Sequence, residues 1–356
     1  MSLPRVILFS PRFVDRPGWD WNSLTGGSEA NHIELAEELA KLGHEVISYA
    51  PIPPGHLTKV IRNNVEWRDC DILFPYDGVW LLYRTLTPLD HLEKTDKMKM
   101  CVFLHDVAIK EEWTEARVAK IDKVFVLSQK HKEFLETFYP QLIDKIQVMR
   151  SGIKLELIEE IEKENIKRIP TKMIYASSPD RGLSYLLDMF VEAQEFVPEL
   201  TLDIFYGNNL LDDRILLHRR LKAKMEKFSK IKGITFHGKV EKRELLRHWF
   251  SSGIWCYPTM FLEVFAMVSV EAQAMGAIPI VNPLWGVGEN TSYGKVVQGN
   301  CYDDELVQAR FVEDIIQTAT NPQWQEELRV KMMPAIREKY KWANVAKQWS
   351  TYLCRL

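Results

Sequence analysis

Two glutamates, Glu263 and Glu271, stand eight residues apart in the run Glu263-Val-Phe-Ala-Met-Val-Ser-Val-Glu271. Residues 264–275 are almost wholly apolar, stop at Gly276 and lead into the strand-like run 278–281. A stretch of that length, apolar on all sides, predicts a buried helix. Glu271 within it needs a hydrogen-bonding or charged partner, because a bare carboxylate is costly to bury. Glu263 falls at the expected N-terminal end, where the macrodipole and outward-pointing N–H groups favour an anion. On one continuous helix the two Cα atoms would lie about 12 Å apart along the axis and about 80° apart around it. That span suits a ligand with hydroxyls at both ends and a diphosphate between them, held by the N–H groups that follow Glu263. A plainer alternative is that Glu271 pairs with a buried Arg or Lys.

Other candidates cluster after strand-like runs. Gly26-Gly27-Ser28-Glu29 joins a loop to a helix start, where glycines permit close backbone approach to an anion and Ser28 can cap. Arg181, with Gly182 behind it, lies in Ala176-Ser-Ser-Pro-Asp-Arg-Gly-Leu183, and its fork of donors can clamp a diphosphate. A surface capping role for Arg181 is the alternative. His105-Asp106 closes a buried strand-like run, at the end where ligands of such sheets bind. Trp19 and Trp21 could stack on a ligand's ring or simply pack. Asp69-Cys70-Asp71 is formally a D-x-D, but it opens a strand-like run at the wrong end for metal chemistry, so no metal site is expected.

The elements that must position these groups alternate in β-α-β fashion. Strand-like runs recur at 5–10, 45–49, 71–74, 79–83, 99–104, 123–127 and 145–149, with a helix at 28–42 burying Ile33, Ala36, Leu39 and Ala40 and ending at Gly43. A second series occupies 172–176, 201–206, 234–237, 254–257 and 278–281. The charged stretch 159–168, closed by Pro170, reads as a linker, and residues from 324 onward read as helical and polar-patterned. The predicted architecture is α/β: two Rossmann-like, doubly wound parallel-sheet domains facing a cleft. The expected boundaries are 1–155, a linker at 156–171, 172–338, and a C-terminal helix at 339–356 crossing back to the first domain.

The bulk composition is consistent with this. The chain has 356 residues, 46% hydrophobic and 27% charged, enough for two α/β cores. No apolar run approaches a membrane span and the first residues lack a signal-peptide core. The five cysteines (Cys70, Cys101, Cys256, Cys301, Cys354) suggest neither a disulfide framework nor a zinc site. A cytoplasmic protein is expected, with peripheral attachment to a membrane as an option. The net charge of −3 hides an asymmetry: residues 214–247 carry +9 and the remainder −12. That segment is either a solvated helix face or a surface for an anionic acceptor, membrane or DNA.

The E-x7-E pattern Glu263-Val-Phe-Ala followed by Glu271-Ala-Gln-Ala-Met-Gly276 resembles the donor-site helix of the GT-B, family 4-type retaining glycosyltransferases (glycosyl transferases group 1). Gly26-Gly27-Ser28-Glu29, followed by Leu42-Gly-His-Glu-Val46, is similar to the donor-phosphate loop and second strand of the same enzymes. The resemblance spans about residues 5 to 350 and is strongest from 257 to 281. It implies transfer of a hexose from a UDP- or GDP-sugar, such as UDP-glucose, to a hydroxyl acceptor with retention, without a metal or other cofactor. It implies that Glu263 contacts the sugar, Glu271 the ribose, Val264, Phe265 and Ala266 the phosphates, and Gly207 and Val240 the nucleotide. His105 would approach the sugar, with Asp106 a weaker candidate. Two departures stand out: Ala266 replaces a usual Gly, and Ser177 stands near the place of a usual Arg, leaving Arg181 without its customary cationic partner. An epimerase or phosphorylase of the same architecture, or a catalytically silent nucleotide-sugar-binding protein, remains an alternative. For the acceptor, a saccharide or lipid-linked sugar competes with a hydroxylated base in DNA.

Overall fold

Strands that run apolar without alternation bury both faces, as strands of parallel sheets must. Val-Ile-Leu-Phe at β1 (Val6–Phe9) is such a run, buried at all four positions. A computed structural model describes residues 3–11, 27–52, 58–107, 113–206 and 216–356. The chain divides into one unit of 1–152 with 340–356 and a second of 153–339.

In the first unit β1 is followed by α1 (Gly27–Lys41), β2 (Val46–Tyr49), β3 (Lys59–Arg62), β4 (Val65–Arg68), β5 (Gly78–Tyr83), the short α2 (Pro88–His91), β6 (Met98–Phe103), α3 (Glu115–Lys120), β7 (Lys123–Val126), α4 (Gln129–Phe138) and β8 (Ile146–Val148). The strands order as β3-β4-β2-β1-β5-β6-β7-β8, parallel throughout except for the β3–β4 hairpin. Order reverses between β1 and β5, which pair Val6 with Val79, so the switch point lies at the carboxyl ends of those strands.

The second unit contains α5 (Leu155–Glu162), β9 (Ile169–Tyr175), α6 (Leu183–Phe196), β10 (Thr201–Ile204), α7 (Leu216–Phe228), β11 (Ile234–Phe236), α8 (Lys242–Ser251), β12 (Ser252–Tyr257), α9 (Met267–Met275), β13 (Ile278–Val281), α10 (Gly286–Asn290), β14 (Lys295–Val296), α11 (Glu305–Ala319) and all but the last residue of α12 (Pro322–Tyr340). Its all-parallel sheet runs β11-β10-β9-β12-β13-β14, with the switch point between β9 and β12. The last helix, α13 (Trp342–Leu353), packs in the first unit against α1: the Trp342 indole donates to Glu34 at 2.6 Å, and Trp349 meets the rings of Phe103 and Phe125. Among the described residues no helix is long and apolar enough to cross a membrane.

Four local expectations need correction. Residues 71–74 form no strand; the edge is instead the β3–β4 hairpin, turned by Asn63 and Asn64 at positive φ (51° and 61°). Two left-handed residues make the tight turn whose twist suits a hairpin, and asparagine tolerates that region. Residues 155–162 are helix α5 rather than linker, because Ile158 and Ile161 bury one face while the glutamates stay outward. α13 is not polar-patterned: Trp342, Val345, Ala346, Trp349 and Leu353 make a continuous apolar stripe. Finally, α9 begins only at Met267, so Glu263 precedes the helix instead of capping it.

Candidate functional site

The switch point of the second unit is built from the loops after β9 and β12. The β9 loop enters α6 through Gly182, whose φ of 99° is left-handed and whose added Cβ would meet the Pro258 carbonyl oxygen at 2.1 Å. Only glycine lets the two loops close on each other there. The buried Tyr175 hydroxyl braces the loop by donating to the carbonyl of Ser178 at 2.6 Å.

This closure brings Arg181 onto Glu263. The guanidinium donates to Glu263 Oε1 at 2.7 Å and lies 4.2 Å from the centre of the Phe261 ring. Burial disfavours the Arg181 charge, but the Glu263 carboxylate outweighs it and holds the guanidinium above its usual value. The Tyr257 hydroxyl, at the end of β12, donates to the same oxygen at 2.8 Å and meets Ser177 Oγ at 3.0 Å. Burial, helped by the facing carboxylate, pushes the Tyr257 phenol well above its ordinary value, so it stays a proton donor at any working pH.

Glu263 therefore sits in a buried loop, not on a helix, and its main chain is pinned: its carbonyl accepts from Gly286 N at 2.8 Å. The single-helix spacing expected for the glutamate pair does not apply. Val264, Phe265 and Ala266 complete the loop and are all buried, and Asn290 Nδ2 donates to the Phe265 carbonyl. Ala266, which precedes α9, has φ 58° and ψ 67°. The position has glycine's conformation while carrying a methyl group. Glu271, one face along α9, accepts from Lys242 Nζ at the start of α8. Its charge is thus met by a lysine, as in the plainer alternative, although this lysine is itself 40% exposed rather than buried, and the carboxylate remains partly open (side chain 12% exposed). Val240 lies two residues before Lys242 in the loop after β11.

In the first unit, His105 and Asp106 follow β6 as expected. Burial, with smaller contributions from Arg84, His32 and His131, pushes the His105 imidazole down to about 3, so the ring is neutral. It stacks on Tyr83 and its Nε2 meets no partner among the described residues. Asp106 accepts from Arg84 Nε at 2.6 Å. Arg84 escaped the sequence reading; it stands just after β5 at φ 56°, and its NH1 also donates to Ser28 Oγ at 2.9 Å. The signal was its place at a strand's carboxyl end beside the switch point. Gly27 opens α1, and among the described residues no atom stands within 4 Å of a Cβ added there. Gly26, Gly207, Trp19 and Trp21 lie outside the described residues.

Among the described residues, two clusters have the donor chemistry of metal sites. Asp69-Cys70-Asp71 lies in a turn after β4 rather than opening a strand. Asp71 N donates to Asp69, and burial with the two acids pushes the Cys70 thiol up to about 11. The second group, Asp203 with His237 and His248, was not anticipated. There Lys172 Nζ already stands 2.7 Å from Asp203 and 3.3 Å from His248, supplying the positive charge. With the two histidines, it holds the Asp203 carboxyl well below the usual range although burial works the other way.

The sequence profile described as glycosyl transferases group 1 matches residues 159–339. Over 366 residues the chain is 20% identical to the lipopolysaccharide 1,2-N-acetylglucosaminetransferase of Salmonella typhimurium, covering 98% of this chain and 89% of that protein. The structure is similar to sucrose-phosphate synthase from Thermosynechococcus elongatus (TM-score 0.74, 15% identity, 99% and 98% of the two chains). It is also similar to HepE of Anabaena solved with UDP and glucose (TM-score 0.70, 12% identity, 99% and 100%). At such identities the structural likeness shows the fold, that of the GT-B glycosyltransferases.

Proposed function

The chain belongs to the glycosyl transferases group 1 family, and from that premise we propose that it transfers a hexosyl group from a UDP- or GDP-sugar to a hydroxyl acceptor. Transfer proceeds with retention of anomeric configuration and without a metal ion. The observation that carries the donor site is the convergence of Arg181 and Tyr257 on Glu263 at the switch point of the second unit. N-acetylhexosamines are included in the donor class because the Salmonella relative is named for transfer of N-acetylglucosamine.

In this reading Arg181 and the N–H groups of residues 264–268 receive the diphosphate, offering fixed donors where negative charge develops. Glu263 accepts from a sugar hydroxyl, Glu271 from the ribose, and Val240 with Gly207 lines the base pocket. Ser177 belongs to the same site. From the first unit, Gly26, Gly27 and the neutral His105 are assigned to the donor on the family resemblance, with Asp106, tied to Arg84, secondary. Trp19 and Trp21 are assigned to the acceptor. The bond from C1 to the diphosphate breaks as the acceptor oxygen joins C1 on the same face, and the acceptor's proton passes to the departing phosphate oxygen.

A sugar acceptor, free or lipid-linked, is favoured over DNA because several cations of the basic segment are already engaged. Lys224 pairs with Asp188, Lys242 with Glu271, Arg243 with Glu160 and Arg247 with Glu164. A cytoplasmic workplace is part of the proposal. The test is NMR of the sugar released when the chain is incubated with UDP-N-acetylglucosamine, UDP-glucose or GDP-mannose in the presence of EDTA. Slow release of the α-anomer with the nucleoside diphosphate is expected. First release of the β-anomer, abolition by EDTA, or conversion to another nucleotide sugar without release would contradict it.

A further inference from the structure

Glu263 has two partners of different kinds. Arg181 approaches Oε1 from a loop, with its side chain 32% exposed and its guanidinium on the 42%-exposed Phe261. Tyr257 approaches the same oxygen from the end of β12 and is fully buried, its ring flanked by Trp255 and Tyr175. One partner can turn away; the other cannot.

A phenol carries a single proton, and a carboxylate can only accept. The Tyr257 proton is committed to Glu263, so the 3.0 Å contact with Ser177 has one possible direction: Ser177 donates to the Tyr257 oxygen. Ser177, Tyr257 and Glu263 form an ordered chain of donors that ends on Oε1. Both contacts to Glu263 described above fall on Oε1, which leaves Oε2 as the oxygen for a ligand.

From this geometry we propose that Tyr257 is a positioning residue for Glu263, and that Ser177 acts through Tyr257 rather than on the donor's phosphates. The proposal rests on the donor-site reading given above. A diphosphate offers the Arg181 fork more charge than a carboxylate it shares with a tyrosine, so Arg181 turns toward it as the donor enters. Glu263 loses its cationic partner at the moment it must face a sugar hydroxyl. Tyr257 then keeps the carboxylate from rotating, and Ser177 keeps the Tyr257 hydroxyl aimed.

The decisive variants are Tyr257→Phe, which keeps the ring and removes the hydroxyl, Ser177→Ala, and the double variant. Tyr257→Phe is expected to bind UDP within about twofold of wild type by calorimetry. Its kcat on UDP-N-acetylglucosamine falls roughly ten- to a hundredfold at little-changed KM, the usual effect of losing one hydrogen bond to a charged group. Ser177→Ala falls less, and the double variant is no slower than Tyr257→Phe, because the two residues act in series. A Tyr257→Phe kcat within twofold of wild type, multiplying effects in the double variant, or a tenfold loss of UDP affinity in Ser177→Ala would overturn the proposal. Wild-type protein that neither binds UDP nor turns over a nucleotide sugar fails the donor-site reading instead. In that case the crystal structures of unliganded Arg181→Ala and Arg181→Ala/Tyr257→Phe decide: a Glu263 carboxylate fixed in the first and displaced or split between conformers in the second supports the positioning role, and the same single conformer in both overturns it.

Discussion

Ala266 shows how a single residue can carry strain in a binding loop. Its φ of 58° and ψ of 67° lie in the left-handed region, where a Cβ costs about 1–2 kcal/mol. The conformation persists because the loop just before it is pinned, by Asn290 on the Phe265 carbonyl and by Gly286 on the Glu263 carbonyl. Ala266→Gly relieves the strain at the cost of a more flexible unfolded chain. A net gain of about 0.5–1 kcal/mol is expected, read as a higher urea midpoint at unchanged slope. A lower midpoint would mean that the methyl group, which is buried, contributes more by packing than its backbone conformation costs. The two glutamates make a related point about charge. Each mostly buried carboxylate has one cation, Arg181 for Glu263 and Lys242 for Glu271, and a ligand must compete for both.

At the scale of elements, legibility followed the period of the apolar pattern. Strands such as β1, β5 and β12, apolar at nearly every position and buried on both faces, could be placed to within a residue or two. The β3–β4 hairpin was missed because its strands mix charged and apolar residues and its turn is Asn63-Asn64 rather than a glycine pair. The four glutamates of α5 mask the Ile158 and Ile161 spacing, so in sequence the segment reads as a linker. Those glutamates find their partners on other elements: Glu160 and Glu162 meet Arg243 and Arg337. The same distance in sequence hid the partner of Glu271, 29 residues away on α8. The glutamate pair itself was legible, but the start of α9 was not, since nothing in the apolar run 264–275 marks Ala266 as left-handed. Gly182 could be named as part of the loop; the Pro258 carbonyl that demands it belongs to another strand's loop.

Across the whole molecule, the two units differ in how they carry buried ionisable groups. In the second, Asp203 is met by Lys172 and two histidines, and its stabilising effect disappears only in strong acid. In the first, burial holds His32 and His105 down to about 3 and His131 to about 4, against an ordinary 6.5. Their unfolded forms take up protons first, so the stability tied to neutral rings is complete above about pH 6.5 and is lost as pH falls toward 3 to 4. Each ring steepens the dependence by up to about 1.4 kcal/mol per pH unit. Urea midpoints of the first unit should drop sharply between pH 7 and 5, less so in His105→Gln; a flat profile would contradict burial of neutral rings. In the second unit the switch point between β9 and β12 is assigned to a nucleotide-sugar donor. The most direct test is a thermal-shift series of UDP-, GDP-, ADP- and dTDP-sugars at millimolar concentration on wild type and Glu271→Ala. At least one is expected to stabilise the wild type, by about 2.7 kcal/mol at a hundredfold excess over Kd, with that gain much reduced in the variant. Stabilisation by none of them, or by the same amount in both proteins, would contradict the account.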